Sequence, residues 1–418
     1  MIYKVRKSKV KGTVYIPSSK SDSQRAMLIS ALGEETSLLH NVGSSDDELS
    51  MIQNIQRIGA EINWKDDRSL IIKGNFSNAI FSELHVGESG LGCRLLTAIS
   101  SLKNYQIEIN GKGSLIKRNQ FFFDQFLPLM GVSINSNEGK LPLKIHGSLK
   151  SGDYTVDGSE SSQYISGLLI AFSQVEGSTT LTVENCSSKP YIDMTIHTLN
   201  SFGVKIEEIG PTKYKIHGRQ LIHSTDYKID GDWSSASYWL VAAALGLDVS
   251  MRGLSIASKQ ADKAILNALM NSNCSVVITD EEIKINGSLR KPLDFDATHC
   301  PDLFPALVTY AVLTEGISRI RGVHRLENKE SDRGKALKAE FEKLGAIINI
   351  IDDTMLIEGP VKLKSSVVSS HDDHRIAMCL AIASLASNVE LIIEDAHVVN
   401  KSYPTFWVDL EKMQDVTH

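Results

Sequence analysis

The strongest constraint in this sequence is a repeat. Six segments share a small or polar head followed by an alanine-rich apolar run: "SKSDSQRAMLISAL", "SGLGCRLLTAIS", "SESSQYISGLLIAF", "GDWSSASYWLVAAAL", "CPDLFPALVTYAVL" and "DDHRIAMCLAIASLA". They begin at Ser19, Ser89, Ser159, Gly231, Cys300 and Asp372, so the intervals are 70, 70, 72, 69 and 72 residues by subtraction. A fixed period of this kind marks stacked copies of one supersecondary unit. A second landmark keeps the same beat: helical patterns stop at Gly59, Gly131, Gly203, Asn273 and Gly345, spaced 72, 72, 70 and 72. Gly and Asn tolerate the left-handed conformation that ends a helix. Two short strands follow each stop, as in "YKIHG" and "IKING", and another strand such as "TLTVENC" separates the two helices. Each unit therefore reads βαβαββ. The first helix is apolar nearly all round, which predicts burial, whereas the second, such as "GKALKAEFEKLG", is amphipathic and should face water.

The sixth unit has no hairpin after it. The N-terminal "MIYKVRKSKVKG" alternates like the other hairpins, and Gly12, wrapped around the chain, falls on the beat 71 residues beyond Gly359. Three units per domain then give one domain at 13–224 and a second made of 1–12 plus 225–418, closed by the N-terminal strand and joined to the first by two crossings. A strand at 3–11 lying away from the C-terminal helix would contradict this.

Composition narrows the class. Hydrophobic residues at 42% and charged residues at 22% suit an ordinary soluble α/β protein. The net charge of −6 argues against wholesale nucleic-acid binding. Five scattered cysteines without CxxC or Cys/His spacing predict neither a disulfide framework nor a zinc site, and fit a reduced, cytoplasmic protein. The N-terminus lacks the apolar core of a signal peptide, and no run of about 18 apolar residues marks a membrane span.

The charges at the helix heads are what a scaffold alone does not need. Lys20 and Arg25, Arg94, and His374 with Arg375 sit at three heads, while Ser161-Ser162-Gln163 and Ser234-Ser235 occupy two more. A helix N-terminus already carries about half a positive charge, so added cations are unfavourable unless an anion is bound or an acid pairs with them. Equivalent cations at equivalent points of a repeat point to shared anionic cargo. Further clusters are "GKGSLIKRNQ" (Lys112, Lys117, Arg118) and "LENKESDRGKAL" (Lys329, Glu330, Asp332, Arg333), with Lys401 following a strand. Glu330 and Arg333 are three apart and share a helix face, which also suits a capped, salt-bridged helix start. Asp302 in "CPDLFPALV" is either an N-cap or a base whose pKa burial has raised.

In order and spacing, "SKSDSQR", "DGSESSQY", "SKPYIDMT", "GDWSSASY", "KESDR" and "DDHRIAM" resemble the motifs of the 5-enolpyruvylshikimate-3-phosphate synthase family, over essentially the whole chain. The resemblance implies a two-domain inverse α/β barrel of six βαβαββ units. It also implies transfer of the enolpyruvyl group of phosphoenolpyruvate to the 5-hydroxyl of shikimate 3-phosphate, through a tetrahedral intermediate, with release of phosphate. No metal or organic cofactor is implied, and a monomer is expected. Carried over by motif, Ser21, Arg25, Ser161, Ser162, Gln163, Ser188, Tyr191 and Lys329 should hold shikimate 3-phosphate. Gly90, Arg118, Arg333, Arg375 and Lys401 should hold phosphoenolpyruvate, with Gln163 also within reach, and Lys20 should touch both substrates. By the same resemblance Asp302 is then the base towards the 5-hydroxyl, Glu330 the proton donor and acceptor at the methylene carbon with Lys20 as a second candidate there, and His374 an auxiliary.

Some positions depart from the family pattern. "ESGLGCR" stands where "NAGTAMR" is usual, so Leu91 replaces a threonine hydroxyl. Asn119 replaces a proline after Arg118, and Arg325 stands where asparagine is common. Glyphosate, the family's phosphoenolpyruvate-competitive inhibitor, should fit beside Gly90. The related transferase acting on UDP-N-acetylglucosamine pairs its lysine with asparagine and carries a loop cysteine. Here Lys20 precedes Ser21, and the 112–118 loop has no cysteine. A catalytically dead anion-binding protein would have lost Lys20, Asp302 or Glu330, and all three remain. Two domains carrying cations should repel when empty and close on ligand.

Overall fold

The computed structural model describes residues 1–415. The chain divides into two compact units: a central unit, Ser18–Asp230, and a split unit, Met1–Pro17 with the chain from Gly231 onward. In the central unit, three helices are buried on every side: Lys20–Leu32, Gly90–Ser100 and Ser162–Phe172. Three four-stranded sheets accompany them. One runs in the order Asp226–Lys228, Thr36–His40, Ser69–Lys73, Glu61–Asp66, with the first pair parallel and the rest antiparallel. The other two repeat that order with the strands of their own repeats. The split unit has the buried helices Trp233–Ala244, Phe304–Val312 and His374–Ser387.

The helix ends follow the sequence logic. Gly59, Gly131, Gly203, Asn273 and Gly345 all take positive φ, between 63° and 101°. Ser19, Ser89 and Ser161 cap the three central buried helices, accepting from the N–H of Asp22, Gly92 and Gln163. Side chains such as Met27, Leu28, Leu168 and Leu169 are fully buried. Each contributes about 1.5–3 kcal/mol, which helps offset the burial of the polar heads. Gly167 lets two of these helices meet closely, because a Cβ there would lie 2.8 Å from the Arg94 carbonyl oxygen and 3.0 Å from the Ala98 methyl.

The strands at the crossings differ from the expected boundaries. Lys9–Tyr15 precedes the first buried helix but pairs in parallel with Asp248–Arg252, after the fourth. Asp226–Lys228 precedes the fourth buried helix but pairs with Thr36–His40, after the first. The unit boundaries therefore fall after Pro17 and Asp230, not after residues 12 and 224. The cause is that Lys9–Tyr15 runs through Gly12 as one strand, with Thr13, Val14 and Tyr15 opposite Ser250, Met251 and Arg252. Near the N-terminus, Tyr3–Val5 pairs antiparallel with residues 391–393, and the Tyr3 ring stacks on Trp407 at 4.0 Å.

Candidate active-site residues

In the central unit the three buried helix heads are tied together. Ser89 Oγ donates to Gln24 Oε1 at 2.8 Å, linking the first head to the second. Arg94 donates from Nη1 to Gln163 Oε1 at 2.7 Å, linking the second to the third. Arg25 is 1% exposed and reaches the third helix and the next one, Lys189–Ser201. Its Nε donates to Thr195 Oγ1 at 2.7 Å, and its terminal nitrogens to the Ser21 carbonyl at 2.7 Å, Ser166 Oγ at 3.3 Å and the Tyr191 carbonyl at 3.5 Å. All four partners are neutral oxygens. Burial pushes its pKa down to about 10, with Asp22 opposing. A buried guanidinium held this way keeps its charge available to an anion. Ser161, Ser162, Gln163, Ser188 and Tyr191 lie at the starts of the two helices Arg25 touches, Ser188 with φ 54°.

Lys20 is different, because its ammonium pairs with Asp47 at 3.0 Å, so here an acid of the chain does compensate the cation. Gly90 opens the second buried helix, and a Cβ there would lie 2.9 Å from both Arg118 Nη1 and Arg94 Nη1, and 3.8 Å from Gln163 Oε1. The backbone at Gly90 is thus flanked by two guanidinium groups, and Arg94 also lies over the Tyr164 ring at 4.8 Å. Lys112 and Lys117 of the same basic loop are exposed and are not drawn into this group.

In the split unit the acids and cations interlock. Asp302 lies in the short turn Pro301–Leu303, with Oδ1 2.6 Å from Arg333 Nη1 and Oδ2 2.8 Å from Arg375 Nη2. Lys329 Nζ is 4.0 Å away. The N-cap of the following helix is Leu303, so Asp302 is not a cap. The expected raised pKa is also overturned. Burial alone would raise it, but Arg375, Lys329 and Arg333 hold the carboxyl well below the usual range. Glu330 lies 2.7 Å from Arg333 Nη2 and 4.0 Å from Lys401. Arg333 is also held by Asp373, at 2.8 Å from Nε. Asp373 caps the helix that begins with His374 and accepts the Arg375 N–H at 2.9 Å. His374 is buried, with Nδ1 3.7 Å from Asp373. Arg375 Nη1 is buried and makes no hydrogen bond among the described residues. Burial pushes Lys329 down to about 8.

A scan against protein-family profiles matches residues 5–410 to EPSP synthase, 3-phosphoshikimate 1-carboxyvinyltransferase. This chain belongs to the EPSP synthase family. It is 36% identical over 411 residues to the 3-phosphoshikimate 1-carboxyvinyltransferase of Clostridium perfringens, covering 97% of this chain and 96% of that one. The Clostridium acetobutylicum enzyme of the same name is 37% identical over 417 residues, covering 98% and 96%. Among solved structures, EPSP synthase from Acinetobacter baumannii superposes with a TM-score of 0.82 at 25% identity, covering 99% of this chain and 98% of that one. The enolpyruvyl transferase NikO from Streptomyces tendae shares the fold, with a TM-score of 0.78 at 18% identity over 99% and 97%.

Several supporting residues of this EPSP synthase family member escaped the sequence reading. Thr195 and Ser166 share a 2.8 Å hydrogen bond and fix Arg25. Their signal was present, since each lies four residues after a candidate, Tyr191 or Ser162, and so on the same helix face. Glu88, in place of the usual asparagine, accepts from the N–H and hydroxyl of Ser114, both at 3.4 Å, tying it to the loop that carries Arg118. Among the described residues no cluster of three or more His, Cys, Asp or Glu forms a metal site, and no helix is long and apolar enough to cross a membrane.

Proposed function

We propose that this protein performs the family reaction with a division of labour between two sets of side chains. The activity is transfer of the enolpyruvyl group from phosphoenolpyruvate to the 5-hydroxyl of shikimate 3-phosphate in the shikimate pathway. Ser21, Arg25, Ser161, Ser162, Gln163, Ser188, Tyr191 and Lys329 hold shikimate 3-phosphate. Gly90, Arg118, Gln163, Arg333, Arg375 and Lys401 hold phosphoenolpyruvate, and Lys20 meets both. Asp302 accepts the 5-hydroxyl proton as the oxygen bonds to C2 of phosphoenolpyruvate. Glu330 delivers a proton to the methylene carbon, giving the tetrahedral adduct. In elimination Glu330 takes a proton back from that methyl group, the C2–O bond to phosphate breaks as Asp302 returns the hydroxyl proton to the departing phosphate, and the enolpyruvyl ether remains. His374 supports the proton transfers. The protein acts as a monomer in the cytoplasm.

The observation that carries this reading is the Asp302–Arg333–Glu330 group. Both acid–base carboxylates touch the same buried guanidinium, at 2.6 and 2.7 Å. Cations that receive an anionic substrate thereby also set the charge of the groups that move its protons. The test is phosphate release from phosphoenolpyruvate, dependent on shikimate 3-phosphate, in metal-free buffer. No turnover by folded protein refutes the reading. Turnover with UDP-N-acetylglucosamine in place of shikimate 3-phosphate would assign the related transferase instead. Lys20→Met should lose about 10²-fold or more in turnover with the fold intact; near-normal activity removes Lys20 from the mechanism.

A further inference from the structure

The helix Arg333–Lys343 grips one turn of the split unit at two points. Arg333 and Glu340 are seven residues apart, close to two helical turns, and so lie on one face. At the first point Arg333 donates to both oxygens of Asp373, at 2.8 and 3.3 Å, with Ser331 Oγ adding a third bond at 3.1 Å. At the second, Glu340 accepts from the Ser369 N–H at 3.0 Å and meets His371 Nε2 at 2.6 Å. Glu340 is 1% exposed and also pairs with Lys343 at 2.8 Å. The turn between these points is conformationally unfavourable: His371 and Asp372 are consecutive non-glycine residues with φ of 52° and 55°. Side chains with a Cβ rarely adopt that region, and such residues persist where the surroundings hold them. Asp373, His374 and Arg375 follow directly, so the path of this turn fixes where the Arg375 guanidinium emerges.

We propose that Glu340 and His371 are positioning residues for Arg375, clamping the turn that carries it onto the helix that carries Arg333. Neither is among the side chains assigned to a substrate; they act through Arg375. Glu340 suits the task because it stays ionised. Burial would raise its pKa, but Lys343, the Ser369 N–H and His371 hold it below the usual range. Lys343 and His371 are both well exposed, and ion pairs with exposed partners add little net stability, so a clamp of this kind serves geometry rather than folding energy. The inference rests on the assignment of Arg375 to phosphoenolpyruvate.

The test is steady-state kinetics in both substrates, with a thermal midpoint for each variant. Glu340→Gln and His371→Gly should each raise KM for phosphoenolpyruvate about tenfold, the loss expected for one charge-assisted hydrogen bond. KM for shikimate 3-phosphate should stay within about twofold, because its cradle is built from other residues. Glycine suits φ of 52°, so His371→Gly removes the clamp together with the steric resistance at that residue; Glu340→Gln, which leaves the preferences of the turn unchanged, is the deciding variant. His371→Gln, which keeps an N–H donor of similar reach, should recover most of the loss. Unchanged KM for phosphoenolpyruvate in Glu340→Gln and His371→Gly overturns the proposal, whether or not the midpoint falls. Arg375→Ala separates the two ways of failing. If it raises that KM while the clamp variants do not, the clamp alone is wrong. If it too leaves KM unchanged, the assignment of Arg375 fails and the clamp with it.

Discussion

Asp302→Asn should slow turnover and tighten phosphoenolpyruvate at the same time. Both effects come from one geometry. The carboxylate is 2.6 Å from Arg333 and 2.8 Å from Arg375, with Lys329 at 4.0 Å. As the base towards the 5-hydroxyl, its loss should reduce kcat by about 10²–10⁴-fold. As an internal anion, however, it occupies guanidinium N–H groups that the incoming carboxylate or phosphate must share. Each such charge-assisted bond nets about 1.5–3 kcal/mol. Asparagine keeps one acceptor oxygen, so the relief amounts to about one weak bond of this kind. About 1.4 kcal/mol corresponds to tenfold tighter binding. The assay pairs phosphate release, for kcat, with calorimetric titration of phosphoenolpyruvate in the presence of shikimate 3-phosphate, which the slow variant permits. A kcat within about threefold of wild type would remove Asp302 as the base, since general-base removal is worth far more. Tenfold looser binding would show instead that Asp302 organises the two arginines.

The sign of its titration adds a constraint. A carboxyl held below its unfolded pKa contributes stability above that pKa and loses it as pH falls through the folded value. Asp302 is held well below the usual range by Arg375, Lys329 and Arg333 against the effect of burial. It therefore stays ionised in the empty enzyme throughout the mildly acidic range, and an acid limb of kcat/KM near pH 5–6 should belong to another group. On the proposed assignment, phosphoenolpyruvate should take up part of the field of Arg333 and Arg375, and the basicity of Asp302 should rise as it binds.

Two further outcomes follow from the same side chains. Gly90→Ala places a methyl 2.9 Å from both Arg94 and Arg118, so both guanidinium groups must retreat by about half an ångström to reach ordinary contact; KM for phosphoenolpyruvate and the glyphosate inhibition constant should both rise about tenfold or more, and an unchanged pair of constants would take Gly90 out of the phosphoenolpyruvate site. Lys329 is pushed down to about 8 by burial, and on the proposed assignment it should bind phosphate as the ammonium, so affinity for shikimate 3-phosphate should fall as pH rises through about 8; Lys329→Arg should flatten that limb, and a limb that survives the change assigns it to another group.

What could be read from the sequence was whatever recurs or is local. Gly59, Gly131, Gly203, Asn273 and Gly345 announce their positive φ by residue type alone, and the six apolar helices announce their burial by composition. The strand exchange was hidden because Lys9–Tyr15 and Asp226–Lys228 each precede a buried helix as first strands do elsewhere, and only pairing across more than 180 residues tells which sheet receives them. Electrostatics was hidden for the same reason. Asp302 reads as an isolated buried acid until Arg333 and Arg375, 31 and 73 residues further on, are seen to reach it. Lys20 reads as uncompensated until Asp47 is seen beside it, in a segment whose sequence mainly signals a capped helix start.

Pattern also fails to reveal that the two candidate sets differ in kind. In the central unit Arg25 and Arg94 are held by uncharged partners: hydroxyls, carbonyls, an amide and a ring face. Asp22 and Glu160 act on Arg25 and Arg94 through their field, while the hydrogen bonds named here go to neutral groups, so the positive charge is less fully offset than in the split unit. In the split unit Arg333 alone meets Asp302, Glu330 and Asp373. There the charges are compensated before any ligand arrives, and substrate must compete with carboxylates for the same donors. The first arrangement suits tight capture of an anion that does not react at its phosphate. The second suits chemistry, because a ligand that displaces an internal acid also alters that acid's affinity for a proton. The arginines of the two units thus have different electrostatic settings, and the difference lies in whether acids such as Asp302, Glu330 and Asp373 bond directly to them.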